Sequence, residues 1–280
     1  MDALSIRRIA LKKNLPRGVI ERDYVLTNLL SVMVDFPKID KMVFKGGTSL
    51  KKAYFEDFRY SEDLDFGCLE DVSEEFKDYL RHSIRKLDVD FAEIKPNKRK
   101  GKSSFKIMYN SIFRRAGADA DTSAGGRLGV DIDMNLSGSV IIDPQNKQLL
   151  DHYPEFPGPY SMPTMSLEET MAEKVSALTH SRHARHLYDV VFLHSRGVPI
   201  NMDMVNTKTK SEYEEDFDLD KLTTRIYEKK VGWAGGLKPF IPHSVPDFDD
   251  TVNYILKAVK EAMNEAPSGR PAAGPPSAPR

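Results

Sequence analysis

The 280-residue chain reads as an α+β protein: a mixed β-sheet with helices packed on it in the first half, then a second half made of helices. Three observations predict this. A short apolar strand runs into Gly46-Gly47 and a helix, and a second strand returns at Leu64–Cys68. Apolar and polar residues then alternate in Phe91–Ile94, Ser104–Ile112 and Arg127–Met134, the period of half-buried strands. Beyond a Pro-rich connector from Tyr153 to Pro163, the alternation gives way to helical spacing.

In chain order, residues 4–14 and 18–35 read as helices. In the second, Val19, Ile20, Tyr24, Leu26, Leu29, Leu30 and Met33 recur at about 3.6 residues. Lys41–Lys45 is the first strand, and Ser49 to about Phe58 reads as helix. Residues 73–87 form a charged amphipathic helix with Phe76, Leu80 and Ile84 on one face. In the second half, Ser166-Leu167-Glu168-Glu169 has the form of a capping box and opens a helix that runs to about Thr179. Another helix spans Ala184–Ser195 and stops at Gly197. Further helices are expected near 201–208, 219–230 and 248–264. The Pro-rich stretch 266–280 lacks the apolar residues to order itself and is read as a disordered tail.

Composition narrows the function. Charged residues make up 30% of the chain with a formal net charge of -1, so any attraction to nucleic acid must be local. No run of 18 apolar residues exists and the first residues lack a signal-peptide core, so no membrane partner is expected. The single cysteine, Cys68, excludes an internal disulfide and a Cys-rich zinc site, and reads as a small core residue. A reducing cytoplasm is the expected location.

The chemistry centres on Asp63 and Asp65. Residues i and i+2 of a strand share a face, so both carboxylates converge while Leu64 and Phe66 turn to the core. Like charges held that close call for a cation, and hard oxygen ligands suit Mg²⁺ (or Mn²⁺). Upstream, Gly46-Gly47 at a strand-to-helix junction lets backbone N–H groups approach a phosphate, and Thr48 and Ser49 add hydroxyls. The loop is not a Walker A, whose spacing is absent. Two-metal phosphoryl transfer calls for a third carboxylate on a neighbouring strand, and Val130-Asp131-Ile132-Asp133-Met134-Asn135 supplies one. Asp133 is favoured, with Asp131 as the alternative. An EF-hand reading of this stretch fails, because Leu136 and Ile142 stand where Gly and Glu are required.

Lys174 is a candidate phosphate ligand. Arg182, Arg185 and Asp189 follow at +3 and +4 on the next helix, which makes either an ion network or a polar site facing the cleft. His180, His183, His186 and His194 lack acidic partners at metal-ligand spacing and are not read as a zinc site. Lys95-Pro96-Asn97-Lys98-Arg99-Lys100-Gly101-Lys102 carries five positive charges in eight residues. As a hairpin loop it is a candidate contact for an RNA backbone through Lys98, Arg99, Lys100 and Lys102.

Over about residues 15–210 the chain resembles the AbiEii/AbiGii-type toxins of the nucleotidyltransferase superfamily, a group that includes the MenT toxins. Val19-Ile20-Glu21-Arg22-Asp23-Tyr24-Val25-Leu26 is similar to the family's EKDY helix. Phe44-Lys45-Gly46-Gly47-Thr48-Ser49-Leu50 and Arg59-Tyr60-Ser61-Glu62-Asp63-Leu64-Asp65-Phe66 resemble its GG[TS]-x-L and R-x-S-x-D-x-D segments. Leu167-Glu168-Glu169-Thr170-Met171-Ala172-Glu173-Lys174 and Arg185-His186-Leu187-Tyr188-Asp189 resemble its later EE--AEK and RD-YD segments.

The resemblance implies a DNA-polymerase-β-like nucleotidyltransferase core, here 1–152, and a helical C-terminal domain, 153–265. It implies a toxin of a toxin–antitoxin or phage-defence pair with a separately encoded antitoxin. Such an enzyme moves a nucleotide from an NTP to the 3′ end of tRNA and blocks translation. By match, Asp63 and Asp65 correspond to the metal-binding pair, and Lys174 and Asp189 to the second-half catalytic positions; the match leaves the third metal-binding carboxylate open between Asp133, favoured above, and Asp131. Gly47, Thr48 and Ser49 fall where the triphosphate is gripped, and Gly46, Ser61 and Arg185 are further candidate nucleotide-binding residues. His186 stands where the family usually carries the first Asp of RD-YD. Rival readings are transfer to a protein hydroxyl, a nucleotide-binding module without chemistry, or an interaction protein that uses its helical half.

Overall fold

The computed structural model describes residues 1–99, 102–115, 126–136, 140–150, 153–156 and 158–265. The 266–280 tail, Lys100 and Gly101 lie outside the described residues. Helix α1 (Ala3–Lys13) starts where the Asp2 side chain accepts from Ser5 N and ends at Asn14 in a left-handed conformation. Helix α2 (Arg17–Met33) follows, buried along one side by Ile20, Tyr24, Leu26, Leu29, Leu30 and Met33. Strand β1 (Met42–Lys45) then runs into helix α3 (Gly46–Ser49), which widens into a π-helical turn over Leu50–Tyr54. The helix therefore starts three residues before the expected Ser49 and stops short of Phe58. Buried Lys52 reaches back from the widened turn to Asp23 on α2 at 2.8 Å.

Strand β2 (Leu64–Cys68), helix α4 (Ser73–Ser83), strands β3 (Phe91–Arg99) and β4 (Lys102–Asn110), helix α5 (Ile112–Arg115) and strand β5 (Arg127–Asn135) follow. β3 and β4 pair as one long hairpin through Arg99 opposite Lys102, so strands replace most of the expected basic loop. Two further strands, β6 (Gln145–Gln148) and β7 (Ser161–Thr164), complete a seven-stranded sheet among the described residues, ordered β3-β4-β5-β2-β1-β7-β6. Sequence reading misses both. β6 is four polar residues at the sheet edge, and β7 holds Pro163 inside the segment expected to be connector.

The central pairings position the site. β1 pairs β2 antiparallel with Lys45 opposite Asp65, and β2 pairs β5 in parallel with Asp65 opposite Asp133. Ser104 of β4 lies opposite Asp133. A row of polar residues thus crosses four adjacent strands on one face, because lateral partners in a sheet point the same way. Beneath it, Leu64, Phe66, Val130, Ile132 and Met134 are fully buried. They join Phe44, Phe76 and Phe105 in a core that includes rings 5.5 Å apart at Phe44 and Phe66.

The second half is helical: α6 (Leu167–Leu178), α7 (Arg185–Ser195), α8 (Met202–Tyr213), α9 (Leu219–Glu228), α10 (Trp233–Leu237) and α11 (Phe248–Glu265). A separate apolar cluster joins them through Val175, Leu187, Leu193, Val205, Ile226 and Val252, and it recruits Leu50 and Phe58 from the first half. Ser166 caps α6 by accepting from Glu169 N at 3.2 Å. The reciprocal arm of a capping box is absent. The fully buried Glu169 carboxylate instead accepts from Ile141 N at 2.8 Å, Ile142 N at 2.9 Å and Lys208 Nζ at 2.6 Å.

Candidate active site

The site is built where β1 meets α3. Gly46 has φ +80, a conformation open to glycine at little cost, and the Asp65 carboxylate packs against it. A Cβ on Gly46 would stand 2.1 Å from Asp65 Oδ2, and one on Gly47 would stand 2.9 Å from both Arg59 Nη2 and Ser61 Oγ. The two glycines thus admit the carboxylate and the guanidinium to the chain. Thr48 Oγ1 donates to the Asp63 carbonyl, and Ser49 Oγ donates to the Gly46 carbonyl at 3.0 Å. Both hydroxyls are buried and spent on holding the turn and the Asp63–Asp65 segment together. Ser61 Oγ donates to Asp63 Oδ1 at 3.1 Å.

The acidic residues are neighbours. Asp133 lies beside Asp65 by register, while Asp131 is ion-paired with Lys106 at 3.2 Å. Burial, and then the Asp63 carboxylate, push the Asp65 carboxyl up to about 7 against the pull of Lys45 and Lys174. This residual strain between carboxylates, with hard oxygen donors on adjacent strands, fits a divalent cation. Among the described residues, no group of three or more His, Cys, Asp or Glu side chains is gathered as a ready metal cage. Asp133 flanks the Asp63–Asp65 segment without completing a three-carboxylate set.

Two cation–carboxylate assemblies frame this floor. Lys45, at the end of β1, is ion-paired with Glu173 of α6. Burial opposes the charge on Glu173, but Lys45 and then Lys208 draw its carboxyl down to about 2. Asp189 of α7 is fully buried and takes two bonds from Arg59, Nε to Oδ1 at 2.6 Å and Nη2 to Oδ2 at 2.7 Å. Lys174 of α6 adds a third contact at 3.1 Å. Burial again opposes the charge, and Arg59, then Lys174, hold the Asp189 carboxyl far below the usual carboxylate range.

Lys174 and Asp189 are therefore brought together, with Arg59 as the partner that sequence reading quoted but gave no role. Arg185 pairs with Glu62 at 3.1 Å and lies over the Phe240 ring at 4.8 Å. Arg182 precedes α7 and is exposed, so it does not share the face of Arg185 and Asp189. His186 is pushed down to about 3, first by burial and then by the Lys174 charge. It stands neutral beside the Arg59, Asp189 and Lys174 cluster. Lys45, Glu62 and Glu173 were also missed. Lys45 could have been found from strand alternation, since it precedes Gly46 at the strand end opposite Asp65.

Of the basic hairpin, the backbone of Lys98, Arg99 and Lys102 lies in the β3–β4 ladder, and Lys100 lies outside the described residues. Among the described residues no helix is long and apolar enough to cross a membrane.

A glycine turn at the end of β1, with Asp65 on the adjoining β2 and Asp133 on β5 next to that, is the site of an enzyme that handles phosphates. The chain belongs to the AbiEii family, described as nucleotidyl transferase AbiEii toxin, type IV toxin–antitoxin system, whose profile matches residues 28–261. The protein is thus a nucleotidyltransferase toxin of a class that uses a nucleotide and a divalent metal and is paired with an antitoxin. Among solved structures, MenT4, a nucleotidyltransferase toxin from Mycobacterium tuberculosis H37Rv, shares the fold. It is 16% identical with a TM-score of 0.65, covering 93% of this chain and 90% of that chain. Among curated proteins, no sequence matches the chain. The family expected from the motifs is the family found.

Proposed function

We propose that the protein transfers a nucleoside monophosphate from an NTP to the 3′ end of an RNA, with the tRNA acceptor stem as the acceptor, and so blocks translation. The supporting observation is the lateral alignment of Asp65 and Asp133 beside the Gly46-Gly47 turn. In this reading Asp63 and Asp65 hold Mg²⁺, which would neutralise charge on the nucleotide phosphates. Asp133 takes the proton of the RNA 3′-hydroxyl as its oxygen bonds to the α-phosphorus. The bond from that phosphorus to the bridging oxygen breaks, and pyrophosphate leaves with its electron pair. Lys174, oriented by Asp189, and Arg185 steady the phosphates, while Lys45 limits the negative charge beside Asp65. Positioning and charge compensation supply most of the acceleration.

The division of labour follows the chain: a nucleotidyltransferase core in 1–152, whose sheet also takes in β7, a 153–265 domain that is helical from α6 onward and brings Glu173, Lys174 and Asp189 to the site, and the 266–280 tail outside both. The basic hairpin with Lys98, Arg99, Lys100 and Lys102 contacts the RNA backbone by neutralising phosphates. A cytoplasmic location and a phage-defence role complete the proposal.

The test is incubation of purified protein with labelled NTPs, Mg²⁺ and total tRNA. Label on tRNA that disappears with Asp65→Ala is the expected result. Absence of labelled tRNA with the wild type, or equal labelling by Asp65→Ala, overturns the reading. Label on protein instead points to a hydroxyl acceptor.

A further inference from the structure

Arg22 leaves α2 and Arg185 leaves the first turn of α7, and both end on one carboxylate. Arg22 Nη1 meets Glu62 Oε1, and Arg185 Nη1 meets Glu62 Oε2 at 3.1 Å. Glu62 sits between Ser61 and Asp63, so this junction adjoins the metal-binding pair proposed above. The side chains of Arg22, Glu62 and Arg185 are 26%, 33% and 25% exposed, which puts them at a rim open to solvent. Two guanidiniums on one carboxylate leave one positive charge in excess. A guanidinium offers five N–H donors in a planar fork, and the Nε of Arg22 is buried with no hydrogen-bond partner.

We infer that Arg22 and Arg185 form a phosphate clamp, and that Glu62 holds the place a substrate phosphate takes. A phosphate offers the fork the same paired oxygens as a carboxylate, with greater charge, so it can displace Glu62 from both arginines. Phe240, stacked under Arg185, keeps that guanidinium at the rim during the exchange. The inference rests on the nucleotidyl-transfer reading and adds to it a substrate-binding residue, Arg22, and an internal competitor, Glu62. The phosphate is either part of the nucleotide's triphosphate or part of the acceptor RNA's backbone.

The experiment measures binding of inorganic tripolyphosphate by calorimetry and of total tRNA by filter retention, on the full chain with metal chelated. Arg22→Gln weakens one of the two probes about tenfold, the worth of a charge-assisted hydrogen bond. Arg22→Lys restores part of the loss, and Glu62→Gln tightens the same probe. Arg196→Gln, which removes an equal charge from an exposed pair with Asp57, tracks the wild type. An effect on tripolyphosphate assigns the clamp to the nucleotide, and an effect on tRNA assigns it to the acceptor. In turnover, KM for that substrate moves more than kcat. The inference is overturned when Arg22→Gln leaves both probes unchanged, or when Glu62→Gln fails to tighten the affected probe. A wild type that labels no RNA sinks the proposed function, and tripolyphosphate and tRNA binding still decide the clamp.

Discussion

The Arg59 guanidinium grips the Asp189 carboxylate through two parallel hydrogen bonds of 2.6 and 2.7 Å, although 130 residues separate them in the chain. Neither side chain meets solvent to any extent. The pair joins the segment entering β2 to helix α7, and Lys174 is the third member. Asp189 thus ties Arg59 and Lys174 together. A buried pair need not stabilise relative to apolar residues, yet removing one partner strands the other's charge.

Asp189→Asn is therefore expected to destabilise the protein by about 3–5 kcal/mol and to abolish transfer. Urea unfolding measures the first effect. An Asn variant as stable as the wild type would show that the Arg59–Asp189 pair is not held by charge.

Gly46→Ala should cost activity more than stability. The left-handed backbone costs an alanine roughly 1–2 kcal/mol. The new Cβ would stand 2.1 Å from Asp65 Oδ2, so the carboxylate must move. Displacement on that scale is expected to cost about 10²-fold in labelling rate. A variant with near-normal rate would show that Asp65 works from another position.

Asp133→Asn should lose about 10²-fold or more in labelling rate, because the group beside Asp65 is lost as proton acceptor. Asp131→Asn should change the rate far less, since Asp131 is paired with Lys106 on a partly exposed surface. A reversed order of the two variants would exchange their roles.

Acid should act through Glu173. Its carboxyl titrates near 4.5 when unfolded and at about 2 when folded, so the folded state favours its ionised form. The resulting stability is fully present above pH 4.5 and is lost as the pH falls toward 2. Glu173→Gln should flatten the stability profile in that window, measured by denaturant midpoints from pH 2 to 6. Parallel profiles would assign acid unfolding elsewhere.

Divalent metal should stabilise the fold through the aspartates. At a hundredfold excess over Kd, Mg²⁺ is expected to add about 2.7 kcal/mol, visible as a rise in Tm. Asp65→Asn should remove the rise. A shift that persists in this variant would place the cation elsewhere.

Much of this was legible in the sequence because it is written in period and spacing. Leu64 and Phe66 point down and Asp65 points up because a strand alternates, and the β5 pattern around Asp133 follows the same rule. From 166 onward every helix but the five-residue α10 is expected from caps and 3.6-residue spacing. What escaped is long-range or polar. β6 has no apolar residue to betray it, and β7 contains a proline that argues against a strand. Partner choice also escaped. Nothing local to Arg59 announces Asp189, and Glu169, placed to complete a capping box, turns to Ile141, Ile142 and Lys208.

That last arrangement limits how the molecule can be re-engineered. One buried carboxylate accepts from two main-chain amides on the approach to β6 and from a buried ammonium of α8. Replacing Lys208 alone would take the ammonium from a buried carboxylate, and replacing Glu169 alone would take one acceptor from Lys208 and from both amides. Grafting these helices onto a different sheet would have to carry the 141–142 amides with them. Glu169 makes sheet and helices transferable only as a set.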